Sequence, residues 1–513
     1  MRLKKELTFI DVFCVAAGAM ISSGIFILPG MAFAKTGPAV FISYFIAGIF
    51  SLAGVFSVAE LATAMPKAGG DYYFINRSMG PLVGTVSGLL SWFAISLKSA
   101  FAIFGIAEVI FLLTGINVTL TAVVFCVIFI IVNIIGVKEA AFFEVILVIG
   151  FLVLMALYVV FGFANININR FQPFAPNGMN QVFSTAGFVF VSFGGLLTVA
   201  SIAEEVKNPG KNIPLGLVVS VLTVTLFYSL LLIVTVGILP AEILKDSFTP
   251  VADAAKEIAG KPGFVIITIA AMLAFITTAN AGIMSASRYP LALSLDKLLP
   301  SWISKIHKRF QTPVTAVVIT GCFIIASLFL PLEILVKAAS TVVLTANVLA
   351  NIAVIILRES RIQNYQPTFR APFYPWIQVL GILLFLFLII DMGYATIEIS
   401  IGLVLVGILL YWFYGRKRTQ QEYALLHLIE RITNKRLTSH ELETELREIL
   451  HQRDEVIHDY FDQTVIKSTV LDLKACQDRK CFFSVIAEKL SSEIELDKNS
   501  IMTLLEEREK ESS

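Results

Sequence analysis

Two short stretches of small residues interrupt long apolar runs, and their spacing suggests chemistry. In Gly18-Ala-Met-Ile-Ser-Ser-Gly-Ile-Phe26, the residues Gly18, Ser22, Ser23 and Gly24 are poor choices for a helix interior. A break there frees backbone amides at membrane depth, where lipid offers no partner, so it must be buried in protein or line a cavity. A fresh helix starting near Gly24–Ile25 would aim its amides and positive dipole end at an anion, which suits a carboxylate. A plain helix-packing face of small residues is the competing reading. The second stretch, Phe190-Val-Ser-Phe-Gly-Gly-Leu196, decides between them. Gly194, Gly195 and Ser192 weaken a helix five spans after the first break. Corresponding interruptions in two halves point to a secondary transporter with its site at the bilayer midplane.

Other polar groups sit in apolar surroundings. Lys98 stands alone in the third apolar run. A charge there is expensive and marks a functional candidate, here a coupling group. As the span is read, Lys98 lies in its outer third, so snorkelling toward the interface is the alternative. Glu60, near the inner end of the second run, is weighed the same way. Thr277 and Thr278 offer oxygens to a cation near the first break, although hydroxyls often bond back to their own helix. Glu204 and Glu205 read as a solvated helix end or an inner gate.

The elements that must hold these residues are membrane helices. The chain of 513 residues is 57% hydrophobic with mean hydropathy +0.82, far from soluble composition. About 20 apolar residues cross a bilayer. Twelve spans are expected at 8–34 (broken), 38–64, 82–107, 118–137, 140–163, 183–206 (broken), 214–238, 263–294, 313–330, 333–357, 373–391 and 395–414. Lys and Arg favour one set of connectors by about three to one, which puts both termini in the cytoplasm of a multi-pass protein of the cytoplasmic membrane. The run after Met1-Arg-Leu-Lys-Lys5 is too long for a signal peptide.

Net charge +1 argues against a nucleic-acid partner. Five scattered cysteines indicate neither a disulfide framework nor a zinc site, and all five histidines lie outside the spans. No nucleophile–base pair or nucleotide motif lies at membrane depth, so no enzyme, metal or cofactor is expected. From Gly415 the chain turns charged and soluble, with a capping-box pattern at Thr438-Ser-His-Glu441. The expected division is a membrane domain at 1–414, cytosolic linker helices at 415–454 and a further cytosolic segment at 455–513.

Residues 5 to about 414 resemble the amino acid–polyamine–organocation (APC) transporter superfamily. The motifs are Gly18-x-x-Ile-Ser-Ser-Gly-Ile-Phe26, Ala59-Glu-Leu with Pro66-Lys-Ala-Gly-Gly70, Glu204-Glu-Val-Lys-Asn-Pro209 with Ile213-Pro214, and Asn280-Ala-Gly-Ile-x-x-Ala-Ser-Arg288. The resemblance implies an all-α membrane protein with two inverted five-helix repeats, broken helices 1 and 6, and two peripheral helices. It implies amino acid transport by alternating access, with H+ or Na+ as candidate coupling ions. Carried over, Ser22, Ser23 and Gly24 bind the substrate carboxylate through backbone amides and hydroxyls, Ile21 belongs to the same substrate-binding segment, and carbonyls around Phe190, Val191 and Ser192 receive the amino group. Phe193 matches a lid position, Phe26 is a second wall, and Gly195 belongs to the second break.

The chain departs from family patterns twice. Some proton-coupled members carry a lysine where the motif spacing places Gly150 here, and some exchangers of cationic substrates carry a glutamate where Leu197 stands. A core without acid suits a neutral or hydrophobic side chain. A polyamine or cationic amino acid, or a sensor signalling through the tail, are the alternatives. The tail, about 455–513, resembles the start of a phosphotransferase-system IIA domain of the fructose/mannitol type, through Val456-Ile-His-Asp-Tyr-Phe461 and Val470-Leu-Asp-Leu-Lys-Ala475. That suggests regulatory protein contacts.

Overall fold

The computed structural model describes residues 7–416 apart from Ser22, 67–69, 136–139, 308–309, 311 and 363, then 423–432 and isolated positions beyond. The chain forms two compact units, Met1–Leu450 and His451–Ser513. The tail resemblance falls almost entirely outside the described residues.

The first span is in three pieces, α1 (Phe9–Met20), α2 (Ser23–Phe26) and α3 (Leu28–Thr36). Next come α4 (Val40–Ala64), the connector helix α5 (Asp71–Met79), α6 (Pro81–Thr114), α7 (Val118–Ile135) and α8 (Ala140–Phe163). The sixth span is also broken, into α9 (Met179–Phe188), a 3-10 turn at Val189–Phe193 and α10 (Gly195–Ile202). The remainder is α11 (Pro209–Ile238), α12 (Ala241–Asp246), α13 (Pro250–Leu295), α14 (Val314–Ser327), α15 (Leu332–Glu359), α16 (Trp376–Asp391), α17 (Tyr394–Leu410) and α18 (Ala424–Ile432). Among the described residues there is no strand, only a single bridge between Leu7 and Val206.

Nine helical runs among the described residues are long and apolar enough to cross a membrane, and three shorter apolar helices, α1, α14 and α16, complete the twelve expected spans. The short ones have visible causes. The break truncates α1, Pro313 and Pro331 bound α14, and Pro375 and Gly393 bound α16. Large apolar side chains of α7, α8, α16 and α17 are exposed, as they must be in lipid. Tyr394 is 87% exposed and Phe413 82%, both at span ends, where aromatic rings belong at the membrane–water interface.

The packing follows a repeat. The second span lies along the seventh (α4 on α11), the third along the eighth (α6 on α13) and the fourth along the ninth (α7 on α14). The first packs on the fifth (α1 on α8), and the sixth on the tenth (α9 and its 3-10 turn on α15). Pairing of span n with span n+5 is what two related five-helix repeats produce. Helices α16 and α17 pack on the outside of this core, against α15 and α4, and against α6. All-α membrane architecture with broken helices 1 and 6 is therefore what this sequence builds.

Three polar anchors hold the end that carries the N-terminus. Leu7 pairs with the close of the sixth span through Leu7 N to Glu205 O (3.0 Å) and Lys207 N to Leu7 O (2.8 Å). Glu205 thus closes a main-chain tie, and its helix end is half-buried. Glu60, fully buried, accepts Arg358 Nε at 2.7 Å and Nη2 at 2.5 Å, with Tyr365 OH and Ala371 N completing its shell. That role is structural. Asp71 accepts from Tyr289 OH at 2.8 Å and from Ser91 Oγ, tying α5 to α13 and α6.

Candidate functional site

The two breaks meet. Helix α1 ends at Met20, and Ile21 leaves helical geometry at φ −74, ψ 85. The chain resumes at Ser23, one residue before the expected restart. A Cβ added to Gly24 would sit 2.6 Å from Ser192 Cβ and 3.1 Å from its Cα. Only glycine permits this approach. Gly195 does the same across the other half, where an added Cβ would lie 2.5 Å from Ala16 O. Two glycines, one in each break, let the broken spans touch along their backbones.

The carbonyls freed at the first break are capped from other helices. Tyr228 OH of α11 donates to Met20 O at 2.6 Å, and Tyr44 OH of α4 donates to Gly24 O at 2.8 Å. Lys98 Nζ of α6 donates to Ala19 O. At the second break Ser340 Oγ of α15 donates to Phe188 O at 2.6 Å and accepts from Val191 N at 3.0 Å. The 3-10 turn keeps Gly194 N on Val191 O at 3.1 Å. The Ser192 hydroxyl is buried against Gly24 and finds no partner among the described residues. A buried hydroxyl without a partner costs stability, so it is a group in wait of one.

Aromatic rings wall the contact. Phe193 is fully buried, 5.8 Å from the Tyr228 ring and 6.4 Å from Phe190, while Tyr44 and Tyr228 meet edge to face at 5.6 Å. Beside the breaks lies a cavity of about 50 Å³, lined by Gly18, Ala19, Lys98, Gly194, Thr277 and Thr278 among others. That volume holds a few waters. Here the two breaks are closed on each other, with Gly24 against Ser192.

Residues 7–416 match the model of a family described as amino acid permease. The chain belongs to the amino acid permease family. It is 30% identical over 443 residues to the branched-chain amino acid permease BcaP of Bacillus subtilis, covering 82% of this chain and 94% of that protein. It is 28% identical over 440 residues to the methylthioribose transporter of the same organism, covering 81% and 95%. It is 29% identical over 384 residues to the mitochondrial cationic amino acid transporter 3 of Arabidopsis thaliana, covering 70% and 63%. The permease family carries amino acids across membranes and is not an enzyme family.

The permease places its expected site residues unevenly. Gly24 and Ser192 meet at the contact between breaks, Gly195 closes on Ala16 O of α1, Val191 N is held by Ser340 Oγ, and Ile21 is where α1 leaves helical geometry. Ser22 lies outside the described residues, and Ser23 is described only as the first residue of α2. Phe26 turns away, stacked edge-on against Phe275 at 6.0 Å over an apolar recess with Met155 and Tyr158. Phe190 packs outward on Phe385 of α16 at 5.6 Å, so its ring serves the core. Thr277 and Thr278 line the cavity, and Thr277 bonds back to Leu273 O and Ala274 O.

One expectation is corrected. Lys98 does not lie in the outer third of its span and does not snorkel. Helix α6 runs on to Thr114, which places Lys98 at its middle, turned inward onto Ala19 O. Gly150 is exposed, with open space where a Cβ would stand. The face of α8 toward the cavity is Leu147, Val148 and Phe151. Three contributors went unnoticed in the sequence: Tyr44, Tyr228 and Ser340. Tyrosines inside apolar spans were the available signal, because a buried phenol needs a hydrogen-bond partner.

Proposed function

We propose that this permease moves neutral, mainly apolar amino acids by alternating access, with the substrate held between the two breaks. The carboxylate would sit on the amides of 22–24, since the Ile21 amide already bonds Ala17 O at 2.7 Å, and the amino group near the carbonyls of 190–192. The observation that carries this reading is the Gly24–Ser192 contact with its unpartnered buried hydroxyl. The apolar surroundings of the breaks, and the name of the branched-chain relative, favour an aliphatic side chain over a charged one. The cationic transporters among the relatives support the second reading, a cationic substrate.

We assign the cytoplasmic membrane, with both termini inside, from the placement of Lys and Arg. Lys98, Thr277 and Thr278 share the cavity at the end of α1, and coupling belongs there. Lys98 is the charged group, so H+ is the favoured ion. Neutralising it should flatten the pH dependence of uptake. Residues 415–454 and 455–513 would act as cytosolic linker and regulatory segment, and deletion of 415–513 should then alter the transport rate.

The test is uptake of labelled leucine into proteoliposomes, beside a thermal-shift screen of the purified protein with the twenty amino acids. A ligand that binds only the folded state raises its stability with concentration. Saturable leucine uptake that unlabelled isoleucine and valine compete away is expected. Uptake of arginine alone would overturn the substrate class, and binding without flux would make the protein a sensor.

A further inference from the structure

Among the described residues, Lys98 is the one strongly cationic group lining the cavity beside the breaks, and no Asp or Glu is among those that line it. Its ammonium rests on Ala19 O, at the end of α1, and stands 3.9 Å from where a Gly194 Cβ would be. It therefore lies between the two broken spans, beside the contact of Gly24 with Ser192. Glu60, the acid of the second span, is committed to Arg358, Tyr365 and the Ala371 amide and does not offset it. The other cavity-lining polar groups near Lys98 are neutral hydroxyls such as Ser99, Thr198 and Ser285.

We propose that Lys98 is a charge filter: its ammonium makes the site reject amino acids and amines with a cationic side chain, and accept neutral ones. The inference rests on the proposed substrate site between the breaks and deepens it by naming what that site excludes. Two ligands that share a zwitterionic head make the same main-chain contacts, so those contacts cancel in a comparison. What differs is the side-chain charge. A second ammonium held roughly 6–8 Å from Lys98 at an effective dielectric of about 20 is disfavoured by about 30- to 100-fold in affinity. The filter is a repulsive device of the kind specificity commonly needs. Removing it does more than lift the repulsion. It also leaves Ala19 O without its donor, a place for a ligand ammonium.

The experiment compares norleucine with ornithine, a neutral and a cationic ligand of similar length, by calorimetry on the purified full-length protein. Wild type should bind norleucine at least 30-fold more tightly than ornithine. Lys98→Met and Lys98→Gln should reduce that ratio below about fivefold, and Lys98→Arg should keep it. A wild-type ratio below threefold would overturn the filter, whatever the variants do. So would neutral variants that keep the wild-type ratio, since the discrimination would then come from the apolar walls. If norleucine and leucine fail to bind wild type at all, the substrate-site reading itself falls, a result distinct from binding without discrimination.

Discussion

Gly24→Ala is a direct probe of the contact between the breaks. The new methyl would meet Ser192 Cβ at 2.6 Å and Ser192 Cα at 3.1 Å. Carbon atoms pack best at about 3.5–4.0 Å, so the two backbones must part by about 1 Å. Overpacking of this size costs about 1–3 kcal/mol. The larger effect falls on the ligand. A hydrogen bond stretched by about 1 Å is no longer a hydrogen bond. Losing one or two main-chain contacts to the zwitterion lowers affinity by roughly 10- to 100-fold. Calorimetric titration of leucine into purified protein measures this, and the circular dichroism spectrum checks that the variant has folded.

Ser192→Gly supplies the rescue, because it removes the Cβ and Oγ that the methyl strikes. Because it also removes the hydroxyl placed on the ligand, the rescue is read on stability: the double variant should melt above Gly24→Ala alone, with a coupling energy of at least about 1 kcal/mol in the cycle. Affinity of Gly24→Ala within twofold of wild type, or a double variant no more stable than the single, would refute the geometry.

Tyr228→Phe and Tyr44→Phe each strand a carbonyl of the first break, Met20 O or Gly24 O. Each should cost about 1–3 kcal/mol, read as a lower thermal midpoint in detergent. Glu60→Ala leaves the Arg358 guanidinium without its carboxylate, so a loss of about 3–5 kcal/mol is expected; a midpoint within a degree of wild type would contradict the anchor. The Lys35–Glu333 pair, at 2.6 Å with side chains 30% and 45% exposed, should contribute under about 1 kcal/mol, and Lys35→Met should barely move the midpoint. Asp71 lies in the connector between the second and third spans, where burial pushes its carboxyl above the usual carboxylate range despite the Ser91 and Tyr289 hydroxyls. Its folded state therefore holds a proton more tightly than the unfolded chain. That contribution is full below the unfolded value of 3.8 and is lost as pH rises through the folded one. The stability of wild type relative to Asp71→Asn should fall as pH rises above about 4; a difference independent of pH would count against it.

The spans and both breaks were legible because they rest on composition. Twenty apolar residues, or a cluster of Gly and Ser within them, carry their meaning locally. Span ends were less so. The third span was expected to end at 107, yet α6 continues to Thr114, and Lys98 moves from the rim to the middle. Facing directions were not legible either. Whether Gly150 looks at lipid or at α1 depends on how α8 is rotated in its packing, which an almost uniformly apolar helix does not reveal. The tyrosine caps arise from contacts across about 20 and 208 positions of sequence, which no local pattern contains. Phe26 and Phe190 belonged to the right segments, but their rings serve packing with Phe275 and Phe385.

A density map of the permease with leucine bound bears most directly on the claim that two interrupted helices jointly hold the substrate. The account predicts the carboxylate on the main-chain amides of residues 22–24, the amino group by residues 190–192, and the Ser192 hydroxyl within hydrogen-bond reach of the ligand. Leucine seated elsewhere, or unbroken helical hydrogen bonding through both stretches, would contradict it.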